Sequence, residues 1–496
     1  MQKISLFLCT LLLLTNCRVG PNFHSPEAPH TSRYNNGRLI TKTASAPNPA
    51  GKSQHLHYNR DISNSWWVLF HSQELNALIE QGLKNNPTVE MSKANIRKAQ
   101  ANLRVVAGPK LFPTADTQFF GSRERNTLLA TGINLAPLPG QKLPFSIRNQ
   151  FDLYNASVNV SYNLDLFGGN KRQVEALRAA IDYERFELEA AYLTLTANIV
   201  TTSITIASLQ DQLKTTQALI NCQKKLLRMT INNYKLGHLS RLDVLNRENR
   251  LKKTLATLPP IKSNLAQKYN ALAVLVGSLP SENHLPHFNL RSFHLPTELP
   301  VSLPSQLVKQ RPDIRSAESI LHEASAEIGV ATADLFPKFN ILGNYGWFST
   351  TLSTLFNPMN NVWNYGGQIA QTLLKGGALR AKRRMAIAEY EYAFARYKKI
   401  MLEAFFDVAD VLHALEFDAE LLHAQVGAEQ NTQARLNLIT NQYQLGKTNY
   451  ISVLSAKEAY LHAHLNVIQA EAARYSDTAA LFQSLGGGWW NNPIPG

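Results

Sequence analysis

The chain is written twice. Four landmarks recur in the same order: Asn86-Pro87 and Arg311-Pro312, Leu111-Phe112-Pro113 and Leu335-Phe336-Pro337, Gly168-Gly169 and Gly376-Gly377, then Tyr234-Lys235-Leu236-Gly237 and Tyr443-Gln444-Leu445-Gly446. Leu242-Asp243-Val244-Leu245 is answered by Ile451-Ser452-Val453-Leu454. The distance between the second and third landmarks is longer in the first copy, which carries an insertion there. A duplication on this scale constrains the fold more than composition does. Each copy makes the same supersecondary unit, and the two pack with internal pseudo-symmetry. The first repeat reads as residues 66–279, the second as 305–488, with a Pro-rich linker at 280–304 and a tail at 489–496.

Both copies follow one plan. A helix comes first, over residues 73–108 and 312–334, and Phe-Pro ends it, because proline lacks an N–H and restricts the residue before it. Two strand-like segments follow. After Gly-Gly a very long helix runs over 171–232 and 378–441, roughly 90 Å each at ~1.5 Å per residue. A Leu-Gly turn then reverses the chain into a return helix, 241–258 and 450–484, with Pro259-Pro260 interrupting the first. Globular helices average ~11–12 residues, so helices this long need bundle packing. Val174, Leu177, Ile181, Leu188, Tyr192, Leu195 and Ile199 keep three-four spacing in the first copy; Met385, Ala388, Tyr392, Ala395, Leu402, Phe406 and Ala409 do so in the second. Both series read as helix-packing seams.

The strands bear on the environment. Ala156, Val158, Val160, Tyr162, Leu164 and Leu166 alternate with Asn155, Ser157, Asn159, Ser161, Asn163 and Asp165. Residues 361–373 repeat the theme through Trp363, Tyr365, Ile369 and Leu373. Phe339, Ile341, Tyr345 and Trp347 form a third apolar face, and 115–124 a fourth, weaker strand. Period two with one apolar face suits a half-buried sheet or a transmembrane strand of ~9–11 residues. In lipid, four strands cannot close a barrel, whose smallest bacterial form has ~8, so they must pool with other copies. Two copies would give 8 strands and three would give 12; the strands alone do not choose.

The N-terminus favours the membrane. Lys3 and the apolar run Ile4–Leu14 form a secretory signal over residues 1–16. Leu14-Thr15-Asn16-Cys17 resembles a bacterial lipobox, which makes Cys17 the acylated first residue, and Arg18 after it is not an inner-membrane retention signal. Residues 17–65, with Pro21, Pro26, Pro29, Pro47 and Pro49, read as an extended lipid-anchored linker. Apart from residues 4–14, no run approaches the length of a membrane-spanning helix. Three Cys exclude a disulfide scaffold, and Cys222 reads as a small core residue. The formal charge of +14 is dispersed except at Lys375, Arg380, Lys382, Arg383 and Arg384, so a nucleic-acid stripe is not indicated. That cluster reads as a membrane-interface or lumen-facing helix start, or as plain surface.

Together these landmarks resemble the outer-membrane factor family, the TolC-like and OprM-like channels of Gram-negative efflux and type I secretion systems. The likeness rests on Cys17 with Val19-Gly20-Pro21-Asn22, Trp66-Trp67 with Phe70 and Leu75, Asn86-Pro87, Leu111-Phe112-Pro113, Asp165-Leu166-Phe167-Gly168-Gly169, Arg311-Pro312-Asp313, Ala333-Asp334-Leu335-Phe336-Pro337 and the two Leu-Gly turns. It covers about residues 17–488. The resemblance implies a mainly α fold with membrane β: a homotrimer whose 12-stranded outer-membrane β-barrel, four strands per chain, continues into a 12-helix periplasmic α-barrel. The implied function is a passive exit channel for drugs or other small molecules, working with a periplasmic adaptor protein and an inner-membrane RND or ABC transporter. A type I protein-secretion duct is the alternative within the family, and a lipid-anchored coiled-coil scaffold the one outside it. Tyr234, Gly237, Ser240 and Asp243, and Tyr443, Gly446, Thr448 and Ser452, match the family's periplasmic entrance and adaptor contacts. Ser452 stands where many relatives carry a second acid.

Enzymatic chemistry is not indicated. No G-x-G-x-x-G, Walker A, G-x-S-x-G or Cys-x-x-Cys occurs. His322-Glu323 lacks a second zinc ligand at Ala326, His462 and His464 lie on different helix faces, and His55 and His57 stand without further ligands. No cofactor or metal is expected beyond the lipid on Cys17, and no nucleic-acid partner.

Overall fold

The computed structural model describes residues 18–36, 39–127, 148–281 and 285–491. The signal over 1–16, Cys17 and most of the 489–496 tail lie outside the described residues. Two compact units emerge, and neither is a sequence repeat. One comprises the described part of 1–24, 98–181 and 320–394; the other comprises 25–97, 182–319 and 395–496. Each repeat contributes to both.

The first unit holds a four-stranded antiparallel sheet: β2 (Thr114–Thr127), β3 (Arg148–Leu164), β5 (Lys338–Ser349) and β6 (Asn361–Ala370), in that order across the sheet. The register carries the alternation across every strand. Thr117 pairs with Val158, Val158 with Tyr345, and Tyr345 with Trp363. Val160 lies between Ala115 and Gly343, and Leu164 opposite Phe339, which faces Ile369. Directly opposed residues share a face, so over residues 156–164 of β3 and their partners one side of the sheet is apolar, while further along the β2–β3 pair the same face carries the Arg123–Asp152 pair. The other carries the row Asp116, Asn159, Asn344, Asn364, where Asn344 Nδ2 donates to Asn159 Oδ1 at 2.6 Å. β2 and β5 exceed their expected bounds; β3 begins earlier than expected but ends at Leu164, leaving Asp165 and Leu166 outside it, and the last strand is also short. β6 ends at Ala370, so Leu373 leaves the strand assigned to it and stands in the following loop.

The sheet is joined to helices α2 (Pro87–Leu111), α3 (Gly169–Lys235), α6 (Pro312–Ala333) and α7 (Ala378–Gln444). At the start of α3, Asp165 caps the helix by accepting the Asn170 N–H at 3.0 Å and the Lys171 N–H at 2.8 Å. Arg172, fully buried, gathers the N-terminal segment: its guanidinium donates to the carbonyls of Val19 and Gly20, to Asn22 Oδ1 at 2.8 Å and to Glu175 at 2.8 Å. Gly20, at φ +89°, lies so close to Gly329 that a Cβ would overlap its Cα. Burial pushes the Glu175 carboxyl up, but bonds from His322 and Arg172 outweigh it and hold the group below the usual carboxylate range. His322 stacks on Phe23 and pairs with Glu175 at 3.1 Å. Residues 18–23 are therefore a fixed strap, not a loose tether.

The second unit is a helical body. It contains α1 (Gln73–Asn85), α4 (Arg241–Leu275), α5 (Pro304–Gln310) and α8 (Tyr450–Ser484), with a small parallel pair of β1 (His55–Tyr58) and β4 (Glu298–Val301). Its core stacks Trp66 on Phe482, 5.2 Å between ring centroids, beside Phe70, Phe293 and Tyr475. The expected linkers are built into it. Arg474 on α8 is buried and donates to Thr43 Oγ1 at 2.9 Å and to the Lys52 carbonyl at 2.7 Å. Phe288, Phe293, Leu295 and Leu299 bury the Pro-rich segment. Polar, proline-dotted composition marked absence of helix there, not absence of packing.

Four further expectations need correction. The helix expected over 73–108 is two, because Asn86 precedes Pro87 and takes φ −72°, ψ 124° instead of helical angles. Arg311 before Pro312 does the same at φ −78°, ψ 124°, so the repeats break alike. Conversely, α4 runs straight through Pro259-Pro260 to Leu275. Both prolines are exposed, and the helix is held on either side by buried Leu251, Leu272 and Ala273. Of the two seams, the first is covered, with Val174, Ile181, Leu188, Leu195 and Ile199 buried; the second is not. Met385, Tyr392, Leu402 and Phe406 are 62–67% exposed, and α7 buries Ala393, Tyr397, Ala404, Val408 and Leu412 instead. Finally, α3 contains an 18-residue window apolar enough to cross a bilayer, contrary to the expectation that none existed beyond residues 4–14. More than half of it is buried.

Candidate functional site

The expected entrance residues fall at the two helical tips of the second unit. At the first, α3 closes with paired backbone bonds: Gly237 N–H to the Tyr234 carbonyl at 3.0 Å and His238 N–H to the Asn233 carbonyl at 2.9 Å. At the second, Gly446 N–H reaches the Tyr443 carbonyl at 2.9 Å and Lys447 N–H the Gln442 carbonyl at 2.9 Å. This is a Schellman closure, which needs a left-handed residue after the helix. Gly237 and Gly446 supply it at φ +77° and +72°, with open space around both. Their role in the geometry is conformational.

The return helices start differently. Ser240 and Asp243 form a reciprocal capping box: the Asp243 N–H donates to Ser240 Oγ, while the Ser240 N–H and hydroxyl donate to Asp243 Oδ2 at 2.9 and 2.7 Å. The Ser240 hydroxyl, then its N–H, hold the Asp243 carboxyl below the usual carboxylate range, so it is an anion at neutral pH. In the second repeat Asn449 caps instead, accepting the Ser452 N–H at 2.9 Å and the Ser452 hydroxyl at 3.0 Å. Thr448 is half-buried beside it. Tyr443 packs on Tyr450 at 5.4 Å, and Tyr234 is exposed. The first tip thus carries a carboxylate, Asp243, where the second carries the neutral Ser452.

One constellation escaped the sequence reading. Two turns behind the tips, Glu458 of α8 accepts Gln223 Nε2 of α3 at 2.9 Å and Arg247 Nη1 of α4 at 3.1 Å. Arg247 also reaches Ser455 Oγ at 3.4 Å. Glu458 is buried, so this ion pair is a polar latch between the hairpin of the first repeat and the return helix of the second. Arg247 and Glu458 are 211 positions apart, and nothing local in either neighbourhood signals the pairing. Beneath it, Leu219, Cys222, Leu226, Leu454 and Leu461 form a small core, in which the Cys222 thiol donates to the Leu454 carbonyl and is pushed up in pKa, mainly by burial. An open cleft of about 580 Å³ runs alongside, lined by Asn221, Lys225, Asn437, Asn441, Tyr450 and Lys457. Cys222 also lines it, with its thiol donating to the Leu454 carbonyl.

Comparison with known proteins gives this geometry its context. The model of a family described as outer membrane efflux protein matches residues 78–278 and 303–487. The probable efflux pump outer membrane protein TtgC of Pseudomonas putida is 27% identical over 484 residues, covering 97% of this chain and 94% of that one. The pyoverdine export outer membrane protein OpmQ of Pseudomonas aeruginosa is 26% identical, covering 86% of this chain and 87% of the other. The solved outer-membrane channel OprN superposes with a TM-score of 0.80 at 27% identity, over 95% of this chain and all of that one. The chain belongs to the outer membrane efflux protein family and is an outer-membrane efflux channel protein that extends into the periplasm.

Proposed function

We propose that this chain forms the passive exit channel of a tripartite efflux system, a homotrimer served by a periplasmic adaptor and an inner-membrane transporter of RND or ABC type. One observation carries the reading. The sheet has an apolar face and, among the described strands, two unpaired edges, β2 and β6. A bilayer has no water to satisfy such edges. They close only by pairing with sister chains, and three copies make 12 strands around an open interior, where eight would be filled by side chains. The uncovered seam of α7 supports the same conclusion. Its counterpart on α3 is buried, and α2 leaves Met91 and Val105 exposed, with Phe112 exposed just beyond it, so a ring of copies has apolar surface to cover.

The repeats, 66–279 and 305–488, then supply two strands and two long helical arms each. Tyr234, Gly237, Ser240, Asp243, Tyr443, Gly446, Thr448 and Ser452 form the periplasmic entrance that meets the adaptor. The Arg247–Glu458 latch holds it shut, and three Asp243 carboxylates ring the mouth. A lipid on Cys17 anchors the strap that Arg172 secures. The cargo is small: relatives carry names of efflux pump and pyoverdine export proteins. The sequence carries no Walker A motif, and in this reading the partner transporter drives export. The test is conductance of the purified protein in planar bilayers. Discrete channel openings are expected; a protein that inserts and never conducts overturns the proposal.

A further inference from the structure

The duplication allows the two Gly-Gly turns to be compared, and they are not equivalent. In the first, Asp165 stands three residues before Gly168 and caps α3, while Arg172, three residues past Gly169, is saturated by the strap. In the second, Leu373 holds the place of Asp165 and Arg380 the place of Arg172. Leu373 and Leu374 are 87% and 94% exposed. Arg380 is exposed and has no acceptor among the described residues, where its counterpart has carbonyls and a carboxylate. Lys375 and Arg384 likewise face no carboxylate among the described residues. Their neighbours are engaged: Lys382 pairs with Asp334 at 2.7 Å, and Arg383 donates to Thr332 Oγ1 at 3.3 Å. A cavity of about 400 Å³ opens here, lined by Leu335, Gln371, Thr372, Leu374, Lys375 and Arg380. The patch starts immediately beyond Ala370, where β6 ends.

We propose that this patch binds an anionic phospholipid of the periplasm-facing leaflet. Leu373 and Leu374 enter the acyl region, and Lys375, Arg380 and Arg384 hold the headgroup phosphate. The inference rests on the reading of the strands as membrane-spanning. Exposed leucines beside unpaired cations are the composition of an interfacial anchor, apolar on one side and positive on the other. A guanidinium forks onto phosphate oxygens as it does onto a carboxylate. The internal comparison adds the missing charge: where the first repeat provides its own anion and carbonyl oxygens, the second leaves Lys375, Arg380 and Arg384 with no carboxylate among the described residues.

The test uses the full-length protein in detergent, with lipid retention read by native mass spectrometry during titration with phosphatidylglycerol or phosphatidylcholine. Wild type should prefer phosphatidylglycerol, and the triple variant Lys375→Gln, Arg380→Gln, Arg384→Gln should lose affinity for it by roughly 100-fold, since each cation contributes about a factor of five. Unchanged affinity overturns the proposal. A second arm places a nitroxide on Leu374→Cys or Val158→Cys in phosphatidylglycerol liposomes. The site predicts both labels reachable from the lipid phase. A lipid-phase label at 158 with a water-exposed label at 374 removes the headgroup site and leaves the membrane reading standing. A water-exposed label at 158 removes both.

Discussion

Removing the Glu458 carboxylate tests whether the tips form a gate. Glu458 is buried and accepts from Arg247 at 3.1 Å and Gln223 at 2.9 Å. Glu458→Ala deletes the one carboxylate paired with Arg247 among the described residues and leaves Gln223 Nε2 without its acceptor. Breaking a buried pair from one side costs ~3–5 kcal/mol, and Arg247 keeps partial access to water, so ~3 kcal/mol is the appropriate scale. Because the latch ties one repeat's hairpin to the other's return helix, that energy acts on the closed arrangement. At ~1.4 kcal/mol per decade, the closed-to-open ratio falls roughly 100-fold. The assay is single-channel recording of wild type, Glu458→Ala, Arg247→Ala and the double variant. The expected result is a rise in open probability in each single variant, with the double variant no higher than either. Additive effects would show that the residues act separately. Open probability at wild-type level in Glu458→Ala, in a protein that still melts as one species, refutes the latch.

Other consequences are equally concrete. Gly237→Ala or Gly446→Ala forces a left-handed φ on an L residue and should cost ~1 kcal/mol each, seen as faster amide exchange confined to the tips. Arg172→Met leaves Glu175 without its guanidinium partner and frees residues 18–23; limited proteolysis should then cut between 18 and 36, and an unaltered digest contradicts the clamp. Glu471 is pushed up to about 7, first by burial and then by the charges of Glu429 and Asp211. A carboxyl whose pKa is raised on folding favours the native state most below its unfolded pKa, ~4.3, and the advantage is lost as pH rises through 7. Glu471→Gln should therefore flatten the loss of thermal stability between pH 5 and 8, by ~2–3 kcal/mol at the alkaline end; a slope identical to wild type would contradict that assignment.

Local chemistry was the part of this molecule that could be read in advance. The alternation at Ala156 to Leu164 fixes a strand and its faces without knowledge of its neighbours, and the register then aligns Val158 with Tyr345 and Trp363. Leu-Gly after a long helix announces a Schellman turn, and both turns have that form. What was hidden depends on partners distant in sequence. Pro259-Pro260 carries the signature of a break, yet packing at Leu251 and Leu272 keeps the helix whole. The three-four spacing of Met385, Tyr392 and Leu402 is genuine, but periodicity says that a face is apolar, not which molecule covers it. The Arg247–Glu458 latch leaves no local trace. Arg172 and Arg380 look alike beside their glycines, and only the fold separates a saturated guanidinium from an open one.

The claim beneath all of this is that β2 and β6 find their missing neighbours on sister chains. The mass of the particle extracted in mild detergent, measured by native mass spectrometry with the detergent stripped away, decides it. Three copies of the chain, with no stable single-copy species in lipid, is the predicted result; a folded, membrane-inserted particle containing one copy contradicts it.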